Sequence, residues 1–191
     1  MRFRLFGWLF VAMMLLLTSC GDAESEFSKA PCYVVIDNAT HQDATLATAM
    51  NATSPGIFCI VKKTVKSGGA AYFSFTNNEG QHSDKLYTAI DSRRTLIFGL
   101  SNGIIVGFGN LSSPATFYAY DLQCPNCFDP QALPLREHPL TLETNGLARC
   151  TLCKREYNLN TGGIVAKGDG GKKLTRYYAS TAGPFGVLQV N

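Results

Sequence analysis

Short runs that alternate apolar and polar residues recur along the chain after its first thirty residues. Such alternation is typical of strands with one buried face. No internal repeat and no long amphipathic helix interrupts the pattern, and residues 41–55 are predicted to form a loop or a short helical turn. Strands are predicted at 32–36, 57–65, 72–76, 116–122, 174–178 and 186–190.

A hairpin is predicted over residues 96–107. Asn102 and Gly103 separate two apolar runs there, and this dipeptide is the strongest short-range signal for a two-residue hairpin turn. Many short strands divided by turn residues predict an all-β fold, either a sandwich or a barrel.

The first twenty residues have the pattern of an export signal. Arg2 and Arg4 precede an apolar run at 5–17, which is too short to span a bilayer comfortably. Residues 17–21 then read Leu-Thr-Ser-Cys-Gly, which resembles the lipobox of bacterial lipoproteins. This resemblance implies a signal peptide at 1–19, lipid on Cys20, a linker at 20–31, and a place in the bacterial cell envelope on its periplasmic or surface side.

Composition excludes two broad classes of protein. The chain has 191 residues, of which 46% are hydrophobic and 11% aromatic, so it is not a disordered polymer. Its formal net charge is +3 and its basic residues are scattered, so a nucleic-acid partner is not expected. Residues 32–191 are expected to form one domain.

Two Cys-x-x-Cys pairs carry the main chemical signal. Cys124 and Cys127 form the first pair, Cys150 and Cys153 the second, and 22 residues separate them. Two tight turns of this kind can direct four thiolates at one ion, and such soft donors suit zinc or iron rather than calcium or magnesium. Two strained disulfides are the alternative in an exported chain. A thioredoxin-like role would need one such pair at a helix start in a βαβ unit, which the pattern lacks.

Cys32 and Cys59 remain outside these pairs, each within a predicted strand. Two readings stay open for them. A disulfide would staple the N-terminal strands, with a stabilisation of about 3 to 4 kcal/mol in the chain-entropy model. Alternatively, both are free buried thiols.

The segment after Cys153 resembles Rieske iron–sulfur domains. In that family the second ligand pair is followed by an aromatic residue, Asp or Asn, an apolar residue and then Thr/Ser-Gly. The resemblance covers about residues 96–191 and implies a β-sandwich with a small metal-binding subdomain at about 122–163. The matching positions are Tyr157, Asn158, Leu159, Thr161 and Gly162.

The ligand set departs from the Rieske pattern of Cys-x-His and Cys-x-x-His. Cys124 and Cys150 match the family's cysteines, and Cys153 matches its second histidine. Cys127 replaces the first histidine, with one extra residue in the loop. Four thiolates around a Zn²⁺ ion or an oxidised [2Fe–2S] core leave a formal charge of −2. Nearby cations either offset this charge or are ordinary surface residues: Arg149, Lys154 and Arg155.

Histidines raise the potential of a Rieske cluster, and this chain has only three. His138 lies in the loop between the pairs and is expected to be solvated, while His41 and His82 are expected on the surface. The extra residue in the first loop favours one tetrahedral ion over a two-iron cluster, with zinc ahead of iron.

Two function classes follow. In the first, the metal is structural and the chain is a binding or envelope module. In the second, an iron centre, mononuclear or [2Fe–2S], transfers electrons to a redox or envelope protein partner, as the resemblance implies. Four thiolates leave no open position for a substrate and no other catalytic group is evident, so an enzyme is disfavoured. The expected membrane contact is the lipid anchor.

Overall fold

The computed structural model describes residues 25–191, in which thirteen strands form three antiparallel sheets. No helix among the described residues is long and apolar enough to cross a bilayer. The short helices are Asn38–His41 (α1), Ala44–Ala49 (α2) and Ala89–Arg93 (α3). The strands are Val34–Asp37 (β1), Phe58–Val65 (β2), Ala71–Asn77 (β3), His82–Leu86 (β4), Ile104–Phe108 (β5), Phe117–Asp121 (β6), Leu140–Leu142 (β7), Leu147–Cys150 (β8), Glu156–Asn158 (β9), Ile164–Lys167 (β10), Arg176–Tyr177 (β11), Ala179–Thr181 (β12) and Val187–Val190 (β13).

A six-stranded sheet forms the centre of the fold, in the order β11-β6-β5-β2-β3-β4. Its middle strands are buried on both faces, because alternate residues enter two different cores. In β5, Ile104 and Val106 enter one core and Ile105 enters the other. The predicted strands at 57–65, 72–76 and 116–122 are confirmed as β2, β3 and β6.

The first core lies between the central sheet and a three-stranded sheet in the order β1-β13-β12. The helix α2 closes this core, with Leu46 fully buried. Asp43 begins α2 as its N-cap, since its carboxylate accepts the Leu46 N–H at 2.8 Å. The predicted strands at 32–36 and 186–190 are confirmed as the pair β1 and β13.

The second core lies against the opposite face of the central sheet, under a four-stranded sheet in the order β10-β9-β8-β7. This sheet and the loops around it contain both Cys-x-x-Cys pairs. The core includes Tyr120, Leu122 and Tyr157, together with the side chains of Cys124 and Cys150. The cysteines therefore lie at the edge of a packed apolar core and not on a free loop.

The prediction of a hairpin over residues 96–107 is wrong. β5 pairs with β2 and β6, whereas Ile97 forms an isolated bridge with Tyr33. Asn102 has a left-handed φ of 43°, but Gly103 has no positive φ, so the required type I′ turn is absent. Gly103 instead packs against Leu122. A Cβ added at Gly103 would lie only 2.4 Å from Cδ2 of Leu122.

His41 is also not where the sequence predicted. It is buried at the end of α1, and its Nε2 lies 3.1 Å from the Asp91 carboxylate. Asp91 belongs to the capping box of α3 with Thr88, so this pair joins two helices that are fifty residues apart. His82 is exposed as expected, with 55% of its side-chain surface accessible.

Candidate metal site

The four cysteines of the two Cys-x-x-Cys pairs converge on one point in space. The Sγ atoms of Cys124, Cys127, Cys150 and Cys153 all lie within 4.8 Å of one another, close enough to hold a metal ion. The sequence prediction that these four residues form one site is therefore supported by their placement.

The first knuckle, residues 124–127, begins three positions after the end of β6. The Phe128 N–H donates to the Cys124 carbonyl at 2.9 Å and the Cys127 N–H to the same carbonyl at 3.1 Å, which closes a tight turn. The Cys124 N–H donates to the His138 carbonyl at 2.9 Å. This turn places both thiols on its inner side.

The second knuckle, residues 150–153, connects β8 to β9 and repeats the same turn. The Lys154 N–H donates to the Cys150 carbonyl at 3.0 Å, and the Cys150 N–H donates to the Arg155 carbonyl at 2.9 Å. Lys154 has a left-handed φ of 62°, a conformation that few residues other than glycine adopt. The chain thus reverses sharply enough to return to β9.

Two close sulfur contacts join one knuckle to the other. Cys124 Sγ lies 3.7 Å from Cys153 Sγ, and Cys150 Sγ lies 3.8 Å from Cys127 Sγ. All four thiols are free, so no disulfide links them. With zinc–sulfur bonds of about 2.3 Å, the edge of a tetrahedral four-thiolate site measures about 3.8 Å. The donor set and its spacing therefore fit a tetrahedral metal ion.

The thiols have unequal proton affinities. Burial and the neighbouring thiols raise the pKa of Cys127, and burial also raises the pKa of Cys124. Burial opposes ionisation of Cys153 too, but the backbone and side chain of Arg155 with the adjacent thiols lower the Cys153 pKa to about 6. The Cys153 thiolate is thus favoured near neutral pH, whereas the raised pKa values of Cys124 and Cys127 disfavour their thiolates unless a cation is bound.

Tyr157 contacts the sulfur of Cys124, and Asn126 contacts Tyr157. The Tyr157 hydroxyl oxygen lies 3.1 Å from Cys124 Sγ and accepts a hydrogen bond from Asn126 Nδ2 at 2.9 Å. Because the Asn126 amide donates to the Tyr157 oxygen, the tyrosine proton remains free to bond the sulfur of Cys124. A donor of this kind stabilises a thiolate.

Arg155 is the cation that interacts with Cys153. Its pKa is raised, chiefly through a hydrogen bond with the Cys153 side chain. Its Nε donates to the Asp169 carbonyl at 2.9 Å and its Nη2 to the Gly170 carbonyl at 3.2 Å. Arg155 thus faces both the site and the loop that follows β10. Arg149 and Lys154 are exposed, and Lys154 Nζ donates to the Thr151 carbonyl.

The remaining predicted site residues do not join the cluster. Cys32 and Cys59 are free, buried thiols and form no disulfide in the structure. Cys32 precedes β1 and interacts with the Gly99 backbone, whereas Cys59 lies in β2 and interacts with the Thr76 backbone. The burial that surrounds each one raises its pKa and keeps it protonated. The proposed lipidation site, Cys20, lies outside the described residues.

Sequence reasoning missed the role of Asn126, a polar residue within the first knuckle. Its amide bonds two segments that are distant in sequence, Tyr157 and Lys172. The only local signal was an amide side chain beside a ligand pair, which does not identify its partners. His138 belongs to no group of metal-ligating side chains among the described residues.

Comparisons of the chain with protein-family models, with curated proteins and with solved structures find no significant match.

Proposed function

We propose that the four cysteines bind a single metal ion in tetrahedral coordination, and that this ion is zinc. The main support is a pair of distances between sulfurs of different knuckles. They measure 3.7 and 3.8 Å and match the edge of a tetrahedron of four thiolates around zinc. The four sulfurs also lie within 4.8 Å of one another. In a two-iron cluster the two ligand pairs bind different iron atoms, so sulfurs of different pairs lie farther apart. The compact spacing therefore supports one ion.

The surrounding fold supports a stabilising role for that ion. Cys124 and Cys150 are fully buried and belong to the second core, with Tyr120, Leu122 and Tyr157. Four thiolates complete the coordination of zinc and leave no position for a substrate. The metal would therefore join two loops and a four-stranded sheet to the central sheet.

We further propose that the chain is an exported, lipid-anchored module of a bacterial cell envelope with a Rieske-like shell. The lipobox-like residues around Cys20 support the anchor. The Tyr-Asn-Leu-x-Thr-Gly pattern from Tyr157 supports the Rieske resemblance. A binding role is supported by a cleft of about 660 Å³ beside β7, which reaches Thr151 of the second knuckle.

Elemental analysis tests the metal assignment. The full chain is purified without chelator or metal-affinity resin, beside Cys150→Ser and, as a matched control, Cys32→Ser. We expect one zinc per chain in the parent and the control, no visible colour, and no stoichiometric metal in Cys150→Ser. Equal metal content in parent and Cys150→Ser would contradict the proposed site.

A second candidate is single-electron transfer by bound iron. Cys127 and Cys153 are only half-buried, so one side of the site lies close to the surface where a partner could accept an electron. The contact between Tyr157 and Cys124 supports it too, because hydrogen bonds to sulfur tune the potential of thiolate-bound iron. Iron in the elemental analysis, with thiolate-to-iron absorption that dithionite bleaches, would favour this candidate over zinc.

A further inference from the structure

A glycine-rich loop, residues 168–173, lies against the first knuckle. Asn126 Nδ2 donates to the Lys172 carbonyl at 2.9 Å, and the Lys172 N–H donates to Asn126 Oδ1 at 2.9 Å. The side chain of Asn126 thus pairs with the loop backbone in both directions, as a neighbouring strand would. Because a backbone N–H can only donate, these contacts also fix which end of the amide is the oxygen.

The same loop is bonded to the second knuckle through Arg155. The guanidinium donates to the carbonyls of Asp169 and Gly170, at 2.9 and 3.2 Å. The backbone carbonyl of Arg155 in turn accepts a hydrogen bond from the Cys150 N–H at 2.9 Å. The glycine-rich loop is therefore bonded to Asn126 within the first knuckle and to Arg155, two residues after the second.

Glycine is required at one position of this loop for a steric reason. A Cβ at Gly171 would stand 2.5 Å from Asn126 Oδ1, well inside van der Waals contact. A Cβ at Gly170 would meet no heavy atom within 4 Å. A side chain at Gly171 would therefore collide with Asn126, whereas one at Gly170 would not, so Gly170 provides a matched control.

We propose that the glycine-rich loop controls how fast the metal ion leaves the site, with Asn126 as the positioning residue that holds it. This inference rests on the proposed four-thiolate metal site. The ion can leave only when the two knuckles separate, since its ligands come from both. A loop bonded to both knuckles opposes that separation, so its contacts with Asn126 must break first.

Asn126 also acts on the sulfur itself. Its Nδ2 donates to the Tyr157 oxygen, which leaves the tyrosine proton for Cys124 Sγ. When the glycine-rich loop is displaced, the amide loses the partner that orients it. Displacement of the loop therefore has two effects. It weakens the hydrogen bond from Tyr157 to the Cys124 sulfur, and it allows the two knuckles to separate.

Release of cobalt(II) from the full chain tests the proposal, because thiolate-to-cobalt absorption reports occupancy whichever metal the protein carries naturally. Reduced, cobalt-loaded protein is mixed with excess EDTA at fixed pH, and the decay of this absorption is followed. The variants are Gly171→Ala, Asn126→Ala, their double mutant, and Gly170→Ala as the matched control.

We expect Gly171→Ala and Asn126→Ala each to release cobalt about tenfold faster than the parent, the factor set by loss of roughly one net hydrogen bond. Gly170→Ala should stay within about twofold of the parent. The double mutant should release no faster than the faster single variant, because both act on one contact. Asn126→Ala should also shift the absorption to lower energy, and Gly170→Ala should not.

Two results would overturn the proposal. Equal release rates in Gly171→Ala and Gly170→Ala would show that the contact with Asn126 does not limit escape. Multiplying effects in the double mutant would show that the two residues act separately. Failure of the parent to take up cobalt would instead contradict the proposed metal site itself, and with it any role for the loop.

Discussion

The hydroxyl oxygen of Tyr157 lies 3.1 Å from Sγ of Cys124, although the two residues are 33 positions apart in the sequence. Tyr157 is fully buried in β9, and its ring packs in the same core as the side chain of Cys124. The contact therefore depends on the packing of the second core, and it places a proton donor against one ligand of the candidate site.

Removing that donor should change the electronic spectrum of the bound metal. In Tyr157→Phe the ring still fills its place but the hydrogen bond to Cys124 is lost. The lone pairs of the sulfur rise in energy, so thiolate-to-cobalt absorption should move to longer wavelength. Tyr177→Phe is the control, since its hydroxyl bonds Asp121 and not a cysteine. An unchanged spectrum in Tyr157→Phe would refute the hydrogen bond to the ligand.

Metal removal should destabilise the fold. Because two of the cysteines are part of the second core, binding free energy contributes to folding free energy. Excess chelator should lower the thermal midpoint of the parent by roughly 10 °C or more, the shift expected for a loss of several kcal/mol. The same treatment should leave the midpoint of Cys150→Ser unchanged. Calorimetry with and without chelator checks both expectations.

Asp121 should make stability depend on pH. Burial raises the pKa of its carboxyl, despite hydrogen bonds from Leu100, Tyr177 and Gln123. A raised pKa means that the folded chain favours the protonated acid. Protonated Asp121 therefore contributes to the free energy of unfolding. This stabilisation is fully present below the ordinary aspartate pKa and is lost as pH rises through the raised pKa.

Asp121→Asn isolates that effect. Urea unfolding of the parent and of the variant, at several pH values from about 4 to about 7, gives the difference between their free energies. We expect the parent to lose stability relative to the variant as pH rises across this range. The opposite trend, or none, would mean that the folded protein does not favour the protonated carboxyl.

Gly99 should not tolerate a side chain. Its φ is +67°, and a Cβ there would stand 2.3 Å from the Asp121 carboxylate. Gly69 has a similar φ of +80° but no atom within 4 Å, so it separates backbone strain from the clash. Gly69→Ala should cost about 1 kcal/mol of unfolding free energy, and Gly99→Ala at least about 2 kcal/mol more. Equal losses in denaturant titrations would exclude the close approach.

The buried pair of His41 and Asp91 should contribute to stability. Their side chains are 4% and 3% exposed, so replacing His41 leaves a carboxylate without one of its partners and opens a cavity. His41→Ala should cost about 2 to 4 kcal/mol. His82→Ala, whose side chain is 55% exposed, should change unfolding free energy by less than about 0.5 kcal/mol. Chemical unfolding at neutral pH compares the two.

The sequence alone determined strands such as β2, β3 and β6 and the membership of the candidate site, but it gave no sign of the four-stranded sheet β10-β9-β8-β7. Alternation in residues such as Phe73 and Phe75 of β3 follows from the period of two, which burial of one face requires. The two Cys-x-x-Cys pairs were identified because a tight turn places thiols three residues apart on the same side, a constraint within a few residues. Both signals are local and can be read without knowing the partner strands.

Tertiary structure decided what local pattern does not encode. Asn102 and Gly103 have the sequence of a hairpin turn, yet contacts with Leu122 and the pairing of β5 with β2 set a different course. His41 gave no sign of burial, because its partner Asp91 lies fifty residues away. The bonds from Asn126 to Tyr157 and Lys172 likewise join segments 31 and 46 residues apart. Such contacts depend on how the sheets pack, so only the folded chain shows what holds the four thiols in place.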